Sequence, residues 1–157
     1  MAAKPKVYLE TTVISYLTAT PSRDIVQAAH QQITREWWVR RKDFDLFVSQ
    51  AVILEAGRGD SSAAARRLAA LEGLPVLEVT EDATTLAEAF LEQHALPPKA
   101  ALDALHIAVA VVMGMDYVLT WNCTHIANAA IRPKIEDACR KLEYEPPVIC
   151  TPEELME

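Results

Sequence analysis

The chain has 157 residues, of which 51% are hydrophobic and 24% charged, and its formal net charge is −7. This length and apolar content indicate one soluble globular domain with a full core, so we expect residues 1–157 to form a single domain. The acidic balance counts against binding a nucleic-acid duplex through a broad basic face, although a bound divalent cation can neutralise a local acidic cluster.

Targeting signals and cysteine spacing indicate the cellular compartment. The N-terminal sequence MAAKPKVYLE lacks the apolar segment of a secretory signal, and no apolar run reaches transmembrane length. The three cysteines, Cys123, Cys139 and Cys150, are odd in number and lack the CxxC spacing of a zinc site. We therefore expect a protein of the reducing cytoplasm, with no membrane partner and with packing thiols.

The first half of the chain predicts strands that alternate with helices. In chain order these are a strand at Lys6–Leu9, a helix at Val13–Leu17, a helix from Asp24 to about Arg41, a strand at Phe44–Val48, a helix from Ser49 to about Ala56, a helix at Ser62–Leu71 and a weaker strand at Leu74–Val79. Thr12 is the predicted N-cap of the first helix. The predicted core stripe of the second helix is Val26, Ala29, Ile33 and Trp37.

The second half continues the same alternation. Its predicted elements are a helix at Glu81–His94, a central helix from about Lys99 to Met113, a strand at Tyr117–Leu119, a helix at Pro133–Leu142, an edge strand or extended tail at Pro146–Cys150 and a capping-box turn at Thr151–Glu154. Strands alternating with helices in this way are typical of an α/β fold with a mostly parallel sheet.

The central helix carries two polar residues in an apolar surface. Nearly every residue from Ala100 to Met113 is apolar, so this helix is predicted to be buried. Asp103 interrupts it, and an ionised carboxylate in such surroundings needs a compensating charge or several hydrogen bonds. We favour metal binding by Asp103 over a capping or salt-bridge role. We interpret His106 as a core histidine that is hydrogen-bonded to the backbone.

Further polar residues follow the predicted strands, where ligands bind in open parallel sheets. Glu10 ends the first strand beside Thr11, and Thr120 and Asn122 follow the strand after the central helix. Glu55 lies on the helix after the second strand, among apolar neighbours. Converging carboxylates require a cation, and hard oxygen ligands favour Mg²⁺ or Mn²⁺ over zinc. The simpler alternatives are solvated carboxylates at element ends and, for Asn122, a turn residue.

Four segments together resemble a known family. YLETTVISYL, SQAVILEAGRGD, AALDALHIAVA and DYVLTWNCTHIAN have the order and spacing of PIN domains, which include the VapC-type toxin ribonucleases of toxin–antitoxin pairs. The resemblance runs from Val7 to about Leu155. It implies a three-layer α/β/α sandwich with a mostly parallel sheet, and Mg²⁺- or Mn²⁺-dependent cleavage of RNA. It also implies that Glu10, Glu55 and Asp103 are the catalytic, metal-binding acidic residues.

Two positions depart from the family pattern. The first acidic residue is usually Asp, whereas Glu10 reaches one methylene further. The fourth position is often Asp, whereas Asn122 can offer an amide oxygen to a metal ion but carries no charge, which puts a strict two-metal mechanism in doubt. We expect Thr11, Thr120 and His125 to contribute only by supporting these ligands or contacting substrate.

These observations favour a metal-dependent endoribonuclease, such as the toxin of a type II toxin–antitoxin pair with a small antitoxin protein as its partner. The alternative is a catalytically weak or inactive PIN-like module that binds RNA or protein, because Asn122 replaces an acidic residue. A phosphatase is a third class, and it predicts activity on small phosphomonoesters. The resemblance also implies a homodimer, for which Trp38 is a candidate surface residue.

Overall fold

The computed structural model describes residues 3–156, which contain seven α-helices and a five-stranded sheet. The strands are β1 (Lys6–Leu9), β2 (Asp45–Ser49), β3 (Val76–Leu77), β4 (Tyr117–Leu119) and β5 (Val148–Cys150). The helices are α1 (Thr11–Thr18), α2 (Ile25–Val39), α3 (Gln50–Ala56), α4 (Ser61–Leu71), α5 (Glu81–Glu92), α6 (Ala101–Val112) and α7 (Arg132–Lys141). The predicted alternation of strands and helices is confirmed.

The sheet is entirely parallel, with strand order β3-β2-β1-β4-β5. Tyr8 of β1 is opposite Phe47 of β2 on one side and Val118 of β4 on the other. Because crossovers between parallel strands are right-handed, α1–α4 cover one face and α5–α7 the other. The α/β/α sandwich is therefore confirmed. The strand order reverses direction between β1 and β4, and this switch point is where such sheets bind ligands.

Side-chain caps start most of the helices where the sequence predicted them. Asp24, Ser49 and Thr80 each accept a hydrogen bond from the backbone N–H three residues later. The predicted cap at Thr12 is wrong, because α1 begins at Thr11 and Glu10 is its N-cap. The backbone of Glu10 is extended, and its own carboxylate accepts the Thr12 N–H.

The predicted core stripe of α2 is also wrong in part. Val26 and Ala29 are exposed, and the buried residues of α2 are Gln31, Thr34 and Trp37. The two polar residues are tolerated because both are hydrogen-bonded: the Gln31 amide donates to the Thr20 carbonyl, and the Thr34 hydroxyl donates to the His30 carbonyl. An apolar periodicity cannot reveal a buried face that is polar.

The central helix α6 is buried from Ala104 to Val111 except for the half-buried Leu105. It packs closely against α5, and a 3₁₀ turn at Pro98–Ala100 precedes it, so the α-helix starts two residues later than predicted. Asp103 lies in its first turn and is half-buried, while His106 is fully buried. Burial of this helix is confirmed.

The three cysteines are free thiols. Burial raises the pKa of the Cys139 thiol to about 11 and that of the Cys150 thiol to about 12, so both remain protonated. The prediction of packing thiols is confirmed for these two and wrong for Cys123, which is exposed. Within residues 3–156, none of the helices has the length and apolar character needed to span a membrane.

We expect Ile107→Ala in α6 to lower the free energy of unfolding by about 2–5 kcal/mol, because it leaves a cavity in the core. Ile25→Ala is the matched control: Ile25 is 85% exposed and Ile107 fully buried, so the control should change stability by no more than about 0.5 kcal/mol. Urea denaturation followed by circular dichroism measures both values. Equal effects of the two substitutions would contradict the central position of α6.

Candidate active site

Glu10 lies at the carboxyl end of β1, at the switch point of the sheet. Its backbone N–H donates to the Leu119 carbonyl at 3.0 Å, so β1 and β4 remain paired up to the site. The side chain is buried, and its Oε1 accepts hydrogen bonds from the hydroxyls of Thr12 and Thr120, each at 2.5 Å. Its Oε2 accepts the Thr12 N–H at 3.2 Å. Both carboxylate oxygens are therefore fixed in orientation.

The carboxylate of Glu10 is buried without an ion pair to a Lys or Arg of residues 3–156. Burial raises the pKa of this carboxyl above its usual value; the charge of His106 and the hydrogen bonds from Thr12 and Thr120 offset this only in part. Among residues 3–156, no Lys or Arg forms an ion pair with Glu10 or Glu55. A buried carboxylate without a Lys or Arg counter-ion is a favourable place for a cation.

Glu55 lies in the last turn of α3, and its side chain is 26% exposed. Its Oε1 accepts the Thr11 hydroxyl at 2.6 Å and contacts His106 Nε2 at 2.5 Å. Partial burial raises the pKa of Glu55, but the hydrogen bonds from His106 and Thr11, together with the charges of His106 and Arg58, outweigh it, and the pKa is lower than usual. Glu55 is therefore ionised at neutral pH.

His106 joins this site from α6. One ligand atom from each of Glu10, Glu55 and His106 lies within 4.8 Å of the other two. The second ring nitrogen, Nδ1, is 2.6 Å from the Tyr8 hydroxyl, which is 2.8 Å from the Ser49 hydroxyl. The prediction of a buried histidine is confirmed, but the predicted backbone partner is wrong. The partners are side chains because β1, β2 and α3 all meet α6 at this point.

Asp103 and Asn122 form a second group beside the first. Asp103 Oδ2 is 3.0 Å from His125 Nδ1, and Asn122 Oδ1 accepts the His125 N–H at 3.0 Å. The side chains of Asp103 and His125 are 22% and 20% exposed. Asp103 is not one of the residues whose ligand atoms gather within 4.8 Å; it lies three residues before His106, on the preceding turn of the helix. Metal binding by Asp103 and Asn122 stays a prediction.

Thr120 connects the two groups. The Asn122 N–H donates to the Thr120 hydroxyl oxygen at 2.9 Å, and the same hydroxyl donates to Glu10. The loop that follows is held by its own hydrogen bonds: the Ala127 N–H donates to the Asn122 carbonyl at 2.8 Å, and the Asn128 amide donates to two backbone carbonyls, those of Cys123 and Thr124.

Sequence reasoning did not assign Tyr8, Thr12 or Ser49 to the site. Tyr8 lies two residues before Glu10, and in a strand such residues point to the same face, which was an available signal. Ser49 was predicted only as a helix cap, yet its hydroxyl both caps α3 and contacts Tyr8. Thr11 and Thr120 contact the carboxylates directly.

The fold and the site define an α/β protein with an acidic cluster at the switch point of a parallel sheet. A PIN-domain family model matches residues 7–122, a range that contains Glu10, Glu55, Asp103 and Asn122. The chain belongs to the PIN-domain family. Comparison with curated proteins gave no significant sequence match.

Two crystal structures illustrate the similarity in fold. VapC20 of Mycobacterium tuberculosis, described as a toxin that cleaves the sarcin–ricin loop, is 19% identical with a TM-score of 0.60, over 76% of this chain and 92% of that one. VapBC2 of Rickettsia felis, bound to a DNA fragment from its promoter, is 13% identical with a TM-score of 0.55, over 93% of this chain and 98% of that one. At these identities the comparisons establish the fold alone.

We expect Glu10→Gln to change the pH dependence of stability. A carboxyl whose pKa is raised by folding favours the folded state at low pH, and this contribution is lost as the pH rises through the folded pKa. In EDTA, the Tm of the variant relative to wild type should therefore be higher at pH 8 than at pH 5. Scanning calorimetry at both pH values, with exposed Glu88→Gln as the control, tests this. A pH-independent difference would contradict it.

Proposed function

We propose that this protein is an endoribonuclease that hydrolyses RNA phosphodiester bonds with the help of Mg²⁺ or Mn²⁺. The observation that carries the proposal is the pairing of Glu10 and Glu55 at the switch point of a PIN-domain sheet, where neither carboxylate forms an ion pair with a Lys or Arg of residues 3–156. The similarity in fold to VapC20, a toxin described as cleaving the sarcin–ricin loop, supports RNA as the substrate class.

The free oxygen atoms of the site fit a hard divalent cation. Within residues 3–156, Glu55 Oε2 and Asp103 Oδ1 accept no hydrogen bond, because the contacts of these two carboxylates use the other oxygen. Mg²⁺ and Mn²⁺ prefer such carboxylate oxygens, and a bound cation would stabilise the ionised form of Glu10. The amide oxygen of Asn122 is the atom that this residue could offer to a cation. That oxygen already accepts the His125 N–H, so its contribution to cation binding would be small.

The chain's own residues then have distinct roles. Glu10, Glu55 and Asp103 would hold the cation, while Thr11, Thr12 and Thr120 fix the orientation of the first two carboxylates. The cation would supply charge neutralisation at the scissile phosphate and activation of a water molecule. Glu55 and Asp103 are partly exposed, so substrate reaches the site from their side, whereas the buried Glu10 is out of its direct reach.

The proposal extends to the biological setting. We propose a cytoplasmic toxin that pairs with a small antitoxin and forms a homodimer, and the similarity in fold to VapBC2 supports the toxin–antitoxin assignment. Trp38 gives no added support for a dimer surface, because it is half-buried and the Arg41 guanidinium lies 4.9 Å from its ring centroid. Light scattering coupled to size-exclusion chromatography measures the oligomeric state.

We expect Asp103→Asn and Glu55→Gln each to lower kcat/KM for RNA cleavage by about 100-fold or more, above the roughly 10–100-fold effect of losing a residue that only supports a ligand. Purified protein, Mg²⁺ or Mn²⁺ and a fluorescent stem–loop RNA give the rates. Asp137→Asn is the matched control, because Asp137 is an exposed residue of α7 that pairs with Lys141.

Metal-linked stability separates the nuclease from the binding module. Mg²⁺ should raise the Tm of the wild-type protein by mass action, and this rise should vanish in Asp103→Ala. RNA binding without cleavage, together with a Tm that does not respond to Mg²⁺ or Mn²⁺, would favour the catalytically inactive PIN-like module. Cleavage by Asp103→Asn at the wild-type rate would remove Asp103 from the mechanism.

A further inference from the structure

We infer that Arg58 binds a phosphate group of the RNA backbone beside the acidic site and so holds the substrate there. The identity of the substrate rests on the proposed function, whereas the binding of a phosphate by this guanidinium can be measured without cleavage. Arg58 lies in the turn of residues 57–60, which joins α3 to α4 and begins two residues after Glu55.

Arg58 is on the side of the site that is open to solvent. Its backbone N–H donates to the Glu55 carbonyl at 3.1 Å, so Arg58 follows Glu55 by about one turn of the chain at the end of α3. Arg58 is exposed, and the Glu55 side chain is partly exposed. The charge of Arg58 contributes to the lowered pKa of Glu55, although the two side chains form no ion pair. The guanidinium is therefore close to the carboxylate without being bound to it.

The turn that carries Arg58 is fixed by other residues. Arg67 of α4 donates from Nε to the Ala56 carbonyl at 2.9 Å and from Nη2 to the Arg58 carbonyl at 2.6 Å. Asp60 accepts the Ala63 N–H at 2.9 Å, as the N-cap of α4. The backbone of Arg58 is thus held from both sides, which determines its position beside the site.

The side chain of Arg58 is not needed to stabilise the end of α3. Carbonyl groups there are already bound by the Gly57 N–H and by Arg67. Within residues 3–156, the Arg58 guanidinium forms neither an ion pair nor a hydrogen bond, whereas that of the neighbouring Arg66 donates to a carbonyl of α1 and a hydroxyl of α4. The N–H donors of Arg58, whose geometry matches the oxygens of a phosphate, are therefore available.

The sign of the charge indicates an anionic ligand. A cation held by Glu10, Glu55 and Asp103, as the proposed function requires, is repelled by a guanidinium beside Glu55. An arginine at this position therefore lowers the affinity for the metal ion unless an anion binds to both positive charges. A phosphate of RNA is such an anion, and arginine binds it through paired N–H···O hydrogen bonds. A backbone contact of this kind does not depend on the base sequence.

The other group of basic residues lies at the opposite end of the sheet. Arg40, Arg41 and Lys42 precede β2, whereas the acidic site lies where the strands end. The Arg41 guanidinium lies over the ring of Trp38. Lys42 is exposed and carries the same charge as Arg58, so Lys42→Gln is the matched control for a change in net charge.

Fluorescence anisotropy with a labelled single-stranded RNA tests the contact in EDTA, which prevents cleavage. At low salt, Arg58→Gln should raise Kd about tenfold and lower the slope of log Kd against log salt concentration by about 0.7, because one phosphate contact is lost. Lys42→Gln should change neither quantity. Arg58→Lys should bind less tightly than wild type but keep its salt slope, because lysine keeps the charge without the paired hydrogen bonds. No binding by the wild-type protein, or an unchanged Kd in Arg58→Gln, would overturn the inference.

Cleavage kinetics and metal-linked stability separate substrate binding from a structural role. Arg58→Gln should raise KM about tenfold and leave kcat within about twofold, since the phosphate contact is already made in the ground state. The Mg²⁺-induced rise in Tm should equal or exceed that of wild type, because removal of a positive charge favours the cation. A smaller rise in Tm would show that Arg58 supports the metal site and would contradict a role in substrate binding.

The outcomes distinguish the inference from the proposed function. If the RNA is bound but not cleaved, and Arg58→Gln weakens its binding, the nuclease function fails and the inference holds. If the RNA is cleaved, and Arg58→Gln has the Kd and KM of wild type, the inference fails and the function holds.

Discussion

The structure depends on one buried carboxylate, that of Glu10, at the point where the strand order of the sheet reverses. The hydroxyl of Thr12, which follows β1, and that of Thr120, which follows β4, donate to the same oxygen of Glu10. The ends of these two neighbouring strands are therefore connected through one carboxylate. In the absence of a cation this charge is costly, and folding raises its pKa. A cation bound at this point would therefore stabilise the folded protein.

One side of the site is buried, and the other side is partly exposed to solvent. Glu10 and His106 lie in the interior, where their orientations are fixed by hydrogen bonds, while Glu55 and Asp103 are partly open to solvent. A rigid interior and an accessible rim suit the proposed nuclease, which would hold an ion in one geometry and still admit RNA. The contact between α3 and α6 brings Glu55 and His106 together although 51 positions separate them in sequence.

The sequence was sufficient for the fold and for the convergence of Glu10 with Glu55, but not for the partners of the acidic residues. Alternating apolar segments and capping residues predicted the parallel sheet, and strand ends predicted Glu10 beside Thr120. The pairing of His106 with Glu55, and of Asp103 with His125, depends on how helices cross in three dimensions, which periodicity does not encode. The buried face of α2 was also not predicted correctly. Two of its buried residues, Gln31 and Thr34, are polar, and a search for apolar periodicity does not detect them.

The loop after β4 is held in place by hydrogen bonds within its own backbone and side chains, and this determines which of its residues can vary. Asn122 and Asn128 close it through bonds to its own backbone, and its contacts with the acidic site reported above run through Asn122 and His125. The exposed residues of this loop, Cys123 and Thr124 among them, can therefore be replaced while Asn122 and Asn128 keep its backbone in place beside the acidic site. For the proposed nuclease, such replacements would alter the choice of substrate without changing the carboxylates.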